Sequence, residues 1–318
     1  MSALAAEAAP GRDEVRMLVA RRTGLVHARF LDLAGHLEPG DLLVVNASAT
    51  LPAALPAVRP DGARVDLHLS TPEPSDPGRW VVELRSGGHR ASAREETLRL
   101  PAGGEARLLA PYLSPGRLWV AALTLPEPLE AYLHRHGAPI RYAHDRTPRP
   151  LADYQTIFAT VPGSAEMPSA ARPFTRRALA RLRERAVGVQ RVVLHTGVSS
   201  QERGERPYPE RYEVSRHTAE RVNAARRVIA VGTTVVRALE TVAGEDGRVR
   251  PGAGWTNLVV EPERGVRAVD GLLTGWHDRE ASHQLLLEAV AGRELVRRSY
   301  AVGGYRRHEF GDLHLLLP

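Results

Sequence analysis

A run of short alternating segments between residues 56 and 128 most limits how this chain can fold. Apolar and polar residues alternate strictly at 64–69 and 79–84, and turns rich in glycine or proline separate the segments of this stretch. Alternation with a period of two is typical of strands with one buried face. Short strands at intervals of about 8–12 residues favour a small antiparallel barrel or sandwich. We therefore predict an antiparallel β-barrel domain over residues 56–128.

The residues on either side of this stretch follow a different pattern. Four apolar residues at 42–45 follow a turn at 38–41, which predicts a strand buried on both faces. Beyond residue 150, predicted helices and strands alternate: helices at 174–185, 215–226, 234–243 and 282–292, and strands at 191–195, 227–231 and 258–261. This alternation favours an α/β domain with a mostly parallel sheet. We expect residues 11–55 and 129–318 to form that domain, with the barrel inserted between them.

Two residue types are absent, and their absence excludes several classes of site. Without cysteine there is no thiol nucleophile, disulfide framework, thiolate zinc site or iron–sulfur cluster. Without lysine there is no Schiff-base or P-loop lysine, and all 43 cationic side chains are arginine. The formal net charge of +6 is spread along the chain, which permits a nucleic-acid partner without requiring one.

Expectations on metal, location and assembly follow from patterns that the sequence lacks. No group of histidines and carboxylates has metal-ligand spacing, so we expect no metal. No apolar run approaches the ~20 residues of a membrane span, and the N-terminus has no basic start before an apolar core. We therefore expect a cytoplasmic protein, without a membrane partner and monomeric.

Residues 228–237, VIAVGTTVVR, carry the clearest functional pattern. An apolar strand runs through Gly232, Thr233 and Thr234 directly into a helix, and Arg237 lies one turn further on. The first N–H groups of a helix stabilise an anion such as a carboxylate or phosphate. An ordinary helix start, capped by one of the two threonines, is the alternative interpretation.

Histidines and a basic, aromatic segment supply further candidates. His195 stands at the end of a predicted strand, where it could transfer protons, although a lone histidine is more often a packed residue. His277 lies in a loop between Trp276 and Asp278. Residues 303–312 could stack on a base and hold phosphate, or form a solvated hairpin.

Several segments, taken in order, resemble one enzyme family. They are EPGDLLVVN at 38–46, DYQTIFA at 153–159, PGS at 162–164, VIAVGTTVVRAL at 228–239, and the YR and FGD of 305–312. Together they resemble the S-adenosylmethionine:tRNA ribosyltransferase-isomerases of queuosine biosynthesis, from about residue 37 to the C-terminus. The resemblance implies an α/β domain interrupted by a β-barrel, which agrees with the pattern described above.

The resemblance also implies an activity. Members of this family transfer and isomerise the ribosyl moiety of S-adenosylmethionine onto the 7-aminomethyl-7-deazaguanine of tRNA. The product is epoxyqueuosine, and adenine and methionine are released. We therefore expect S-adenosylmethionine, as a substrate, and tRNA as partners. The chemistry requires a base for the proton beside the sulfonium, a proton for the adenine, and anchors for the methionine end.

Residue roles can be carried over at matching positions. The resemblance implies that Gly232, Thr233, Thr234 and Arg237 bind S-adenosylmethionine, and that His195 and Glu210 are catalytic. The other candidates for the site are Tyr154, Gln155, Ser169, His277 and Asp312.

The chain departs from the family pattern at several polar positions. The family's PTAGLHF reads PSAARPF at 168–174, so Arg172 stands where the family has leucine and Pro173 where it has histidine. The other departures are at Ser199, Ser200, Glu205, Tyr208 and Gly275. Two alternatives therefore stay open. One is a paralogue that uses S-adenosylmethionine or a related nucleoside with a small-molecule acceptor, and the other is a binding protein without catalysis.

Overall fold

A nine-stranded sheet and a closed β-barrel form the framework of the computed structural model. The structure describes residues 11–113, 116–142, 147–198, 207–276, 283–307 and 309–318. The strands are β1 Arg16–Arg21, β2 Gly24–Arg29, β3 Asp41–Asn46, β4 Ser48–Thr50, β5 Ala54–Val58, β6 Arg64–Glu73, β7 Asp76–Ser86, β8 His89–Arg90, β9 Glu96–Arg99, β10 Glu105–Pro111, β11 Leu118–Thr124, β12 Val161–Ser164, β13 Gly188–Leu194, β14 Glu210–Val214, β15 Arg227–Val231, β16 Gly252–Thr256, β17 Gly271–Gly275 and β18 Leu313–Leu317. The helices are α1 Leu129–His136, α2 Arg176–Glu184, α3 Arg216–Asn223, α4 Thr233–Val242, α5 His283–Ala291 and α6 Arg293–Ala301.

The large sheet is mixed, with a parallel centre. Its order is β16-β14-β13-β3-β15-β17-β18-β1-β2, in which the four strands from β13 to β17 run parallel. The pairs at its ends, and β17 with β18, are antiparallel. Leu42 and Val44 pack in the core on one face, whereas Leu43 and Val45 pack on the other. This two-sided burial explains the uninterrupted apolar run at 42–45.

The predicted barrel is confirmed as a closed, six-stranded antiparallel structure. Its strands follow the order β5-β6-β7-β11-β10-β9, and a pair between Val58 and Arg99 closes β9 onto β5. Val65, Leu67 and Leu69 alternate into its core, as the period-two pattern predicts. The barrel follows β3 and β4 and precedes α1, so it interrupts the α/β domain.

One predicted strand is wrong. Residues 258–261 form no strand, and β17 instead takes the place beside β15. The Leu258 N–H bonds the Thr256 hydroxyl, and its carbonyl accepts from Arg237, so local and side-chain contacts replace sheet pairing. Val260 is nevertheless buried in the core beneath α4, which accounts for the apolar run.

The carboxyl ends of the parallel strands define one edge of the sheet. Asn46 ends β3, His195 follows β13, Gly232 follows β15 and Gly275 ends β17. Open α/β sheets bind ligands at this edge. The sequence-predicted candidates from two distant segments, His195 and 232–234, therefore lie on neighbouring parts of it.

A buried histidine in β18 makes the stability of the fold depend on pH. The ring of His314 is fully buried, stacks on Trp276 with centroids 4.5 Å apart, and has no hydrogen-bond partner among the described residues. Burial lowers the pKa of His314 to about 3. Because the unfolded chain binds this proton near pH 6.5 and the folded chain does not, the free energy of unfolding falls as pH falls below 6.5.

We expect His314→Phe to lessen this acid sensitivity, because phenylalanine keeps the stacking and cannot be protonated. The loss of unfolding free energy between pH 7.5 and pH 5 should shrink by about 1.5–2 kcal/mol. Urea unfolding at both pH values measures it, with the exposed His217→Phe as the control. An unchanged loss in His314→Phe would contradict the assignment.

Candidate active site

His195 is held in a buried hydrogen-bonded chain at the sheet edge. Its backbone N–H donates to the Arg211 carbonyl of β14, over 2.9 Å. Its Nδ1 lies 2.8 Å from the Ser48 hydroxyl, which lies 2.6 Å from the Ser164 hydroxyl. Its Nε2 lies 3.0 Å from a guanidinium nitrogen of Arg211. The two serines come from the paired strands β4 and β12, so this small sheet positions the imidazole.

The contacts assign the protonation of His195. Arginine only donates hydrogen bonds, so Nε2 accepts from Arg211, and Nδ1 carries the proton that it donates to Ser48. Burial, followed by the charge of Arg211, lowers the pKa of His195 to about 4. The ring is therefore neutral at pH 7. The Arg211 residue is exposed, so its movement would free the Nε2 lone pair to accept a proton.

Gly163 makes room for this imidazole. Its φ is +149°, and a Cβ at this position would lie 2.6 Å from Cε1 of His195. Real Cβ atoms do not approach another atom so closely. Only glycine therefore fits at this position of β12, against the ring of His195. Nearby, the Val198 N–H donates to Ser70 of β6 over 2.9 Å, so the barrel contacts the loop after His195.

The helix start after β15 is half-buried and has no side-chain cap. Gly232 has φ +98°, no side chain caps α4, and Thr233 and Thr234 are half-buried. Asn46 links this helix start to His195's strand. Its amide donates to the Leu194 carbonyl at 2.7 Å and to the Thr234 hydroxyl at 3.4 Å. The uncapped N–H groups and the helix dipole make this position suitable for an anion.

Glu210 and Arg237 form a buried ion pair. The other guanidinium contacts of Arg237 are to the carbonyls of Leu258, Tyr208 and Thr256, at 3.0, 3.1 and 3.2 Å. Glu210 also accepts from the Gly197 N–H at 3.1 Å, and burial raises the pKa of its carboxyl. This pair ties α4 to β14 and to the loop after His195. The roles of Glu210 in catalysis and of Arg237 in ligand binding stay predictions.

The side chains of three further candidates make their contacts with other residues of the protein. The Gln155 amide bonds both backbone groups of Thr50, at 3.0 and 2.7 Å. Asp312 is fully buried and accepts from Arg16 at 2.6 Å. Tyr154 is buried, with its ring edge-on to Phe310 at 5.2 Å.

Ser169 begins a short 3-10 helix, Ser169–Ala171, whose Ala170 borders Gly232. The candidate His277 lies outside the described residues, as do Ser199, Ser200 and Glu205.

Sequence reasoning did not identify Arg211 or Ser48 as the hydrogen-bond partners of His195. The strand position of Arg211, next to Glu210, could have indicated its direction, because consecutive residues of a strand point to opposite faces. In β14, Glu210 faces α4 while Arg211 reaches His195. The serine partners depend on pairing between β4 and β12, which are more than 100 residues apart in sequence and give no local pattern.

Comparisons with known proteins give a consistent result. A family model described as "Queuosine biosynthesis protein" matches residues 1–316. The S-adenosylmethionine:tRNA ribosyltransferase-isomerase of Moorella thermoacetica is 37% identical, over 96% of this chain and 94% of its own. The enzyme of the same name from Rubrobacter xylanophilus is 38% identical, over 99% of this chain and 94% of its own. A crystal structure of S-adenosylmethionine tRNA ribosyltransferase from Thermotoga maritima is 26% identical, with a TM-score of 0.54 over 99% of this chain and 96% of that one.

The described residues also bear on metal binding and on membrane spans. The described residues contain no group of three or more histidines and carboxylates that could hold a metal ion. Among them, no helix has the length and apolar character needed to cross a membrane.

We expect Arg211→Leu to raise the pKa of His195 above about 4, because it removes the charge that disfavours the imidazolium. The pKa should stay below 6.5, since burial is the larger cause of the shift. An NMR titration of the histidine rings measures it, with His195→Gln to assign the signal. Arg216→Leu, at an exposed position of α3, is the matched control and should leave the pKa unchanged. A pKa unaltered in Arg211→Leu would refute the contact.

Proposed function

The chain belongs to the queuosine biosynthesis protein family, and we propose that it is a transferase-isomerase that acts on tRNA. It transfers the ribosyl moiety of S-adenosylmethionine to the 7-aminomethyl-7-deazaguanine of tRNA and isomerises that moiety, so that the modified base becomes epoxyqueuosine. Adenine and methionine leave. The observation that carries this proposal is the match over nearly the whole chain to relatives named for this activity.

His195 supplies proton transfer in this proposal. The positive sulfonium of S-adenosylmethionine acidifies the adjacent C–H, so that a base of modest strength suffices. Once Arg211 moves, Nε2 has a free lone pair that can accept a proton. The hydroxyl of Ser48 accepts the hydrogen bond of Nδ1–H and so stabilises the protonated ring. Displacement of Arg211 also removes the nearby cation, which raises the proton affinity of the ring at the moment it is needed.

The start of α4 fits the methionine end of S-adenosylmethionine. Its uncapped N–H groups and the hydroxyls of Thr233 and Thr234 offer donors to the carboxylate. Arg237 acts differently in this scheme. With its guanidinium directed to Glu210 and to three carbonyls, it stabilises the wall of the site, and its contact with the ligand stays a prediction.

Arginine supplies all of the chain's permanent side-chain positive charge, which suits a polyanionic acceptor. In this proposal the enzyme works as a cytoplasmic monomer, and its binding to tRNA weakens as salt rises, because phosphate contacts release counterions. The departures from the family pattern at Ser199, Ser200 and Glu205 are the observation behind a second candidate, a paralogue with a small-molecule acceptor.

Mass spectrometry separates these functions. Purified protein is incubated with S-adenosylmethionine, with and without tRNA that carries the aminomethyl-deazaguanine. Adenine and methionine released only with this tRNA, together with the matching mass gain on the base, establish the proposed activity. Release without tRNA supports the paralogue. Binding without release under either condition would leave a protein without this catalysis.

We expect His195→Ala to lower the rate of adenine release by about 10²–10⁴, because general base catalysis contributes that much. The affinity for S-adenosylmethionine, measured by calorimetry, should change little. His217→Ala, at an exposed position of α3, is the control. A loss below tenfold in a folded His195→Ala protein would remove His195 from proton transfer.

A further inference from the structure

Arg172 is a half-buried cation that forms no ion pair with any residue in the described part of the chain. Its backbone N–H closes the 3-10 helix at Ser169, over 3.0 Å. Its Nε is buried and has no hydrogen-bond partner, and its guanidinium makes no ion pair with any residue that the structure describes. A guanidinium carries five N–H donors, and removing it from water without partners is costly.

The guanidinium is nevertheless held in place. Its central carbon lies 4.6 Å from the centroid of the Phe310 ring, and that of Arg149 lies 4.2 Å from the same ring. Phe310 is itself buried and fixed by Tyr154, whose ring meets it edge-on. Stacking on an aromatic ring orients a planar guanidinium while its edge stays available for hydrogen bonds.

The surroundings of Arg172 are positive. Burial, and then Arg12, Arg149 and Arg306, lower the pKa of Arg172 to about 10, and only Asp153 acts in the opposite direction. Asp153 already lies 3.4 Å from Arg12, and Asp312 is shared by Arg306, at 3.4 Å, and Arg16, at 2.6 Å. Gathering these arginines is unfavourable by itself, and an anion bound among them would offset the repulsion.

The arginines lie at the same sheet edge as His195. The segment that ends at Arg172 begins at Gly163, which contacts His195, and passes Ala170, whose Cβ borders Gly232. Phe310 lies two residues before Asp312 and three before β18, whose first residue pairs with the end of β17 at Gly275. An anion held at Arg172 would therefore bind beside the proposed reaction site.

We propose that Arg172, stacked on Phe310 and flanked by Arg149 and Arg306, binds a backbone phosphate of the RNA acceptor next to the modified base. This inference rests on the proposed function, because it requires an RNA acceptor. The planar fork of arginine matches the geometry of phosphate oxygens. A methionine carboxylate shares this oxyanion chemistry, and the helix start at Gly232 already offers it donors.

The test is the salt dependence of RNA binding, which does not require turnover. The probe is an unmodified tRNA transcript, and its dissociation constant is measured over 50–200 mM salt. Arg172→Gln should weaken binding about tenfold and reduce the magnitude of the log–log salt slope by about 0.7–0.9, the value for one lost phosphate contact. Arg183→Gln, on the exposed face of α2 near the opposite sheet edge, is the control and should change neither.

A second variant tests the contribution of the planar fork. Arg172→Lys keeps the charge and loses the bidentate geometry, so the salt slope should be retained while the affinity falls. Thermal unfolding checks that each variant folds. The affinity for S-adenosylmethionine, measured by calorimetry, should match the wild type in both variants. A loss of that affinity with RNA binding intact would assign the site to the methionine carboxylate and overturn the proposal.

The outcomes separate this inference from the proposed function. If the wild type binds the RNA and releases adenine, but Arg172→Gln keeps the wild-type affinity and slope, the phosphate site is refuted and the function stands. If the wild type neither binds the RNA nor releases adenine with modified tRNA, both are refuted.

Discussion

The side-chain amide of Asn46 is the interaction on which the arrangement of the site depends. It is completely buried, accepts from the N–H groups of Leu194 and Ser48, and donates to the Leu194 carbonyl and the Thr234 hydroxyl. One side chain therefore joins β3, β13, β4 and α4. Because a buried amide with unsatisfied groups is costly, this network holds the imidazole of His195 and the helix start of α4 in a defined relation.

The site combines a dry, neutral proton acceptor with half-buried positive charge. His195 is kept neutral by burial and by Arg211, which also occupies its free nitrogen. The arginines around Phe310 lie farther along the same edge, where Arg149 and Arg172 are half-buried. This separation suits a reaction in which proton transfer takes place in a protected position while a polyanion binds outside.

Local patterns predicted the elements whose periodicity is strong. The alternation at 64–69 and the two-sided apolar run at 42–45 led to the barrel and to the central strand, and both are confirmed. The run at 258–261 was misassigned, because an apolar segment can be buried under a helix without pairing. The motif at 232–234 was correctly placed at a helix start, whereas the contacts of Arg237 with three carbonyls had no sequence signal.

By itself the sequence determined the α/β class, the barrel insertion and the motif order that marks the family, because these depend on local periodicity and short segments. Only the tertiary structure decided which groups meet. Ser48 bonds His195 and is itself bonded by Ser164 from a strand far away in sequence, and Arg149 and Arg172 stack on Phe310 from a distant part of the chain. The physical reason is that hydrogen bonds, pKa shifts and stacking depend on distances between side chains, which strand pairing and packing set and residue patterns do not record.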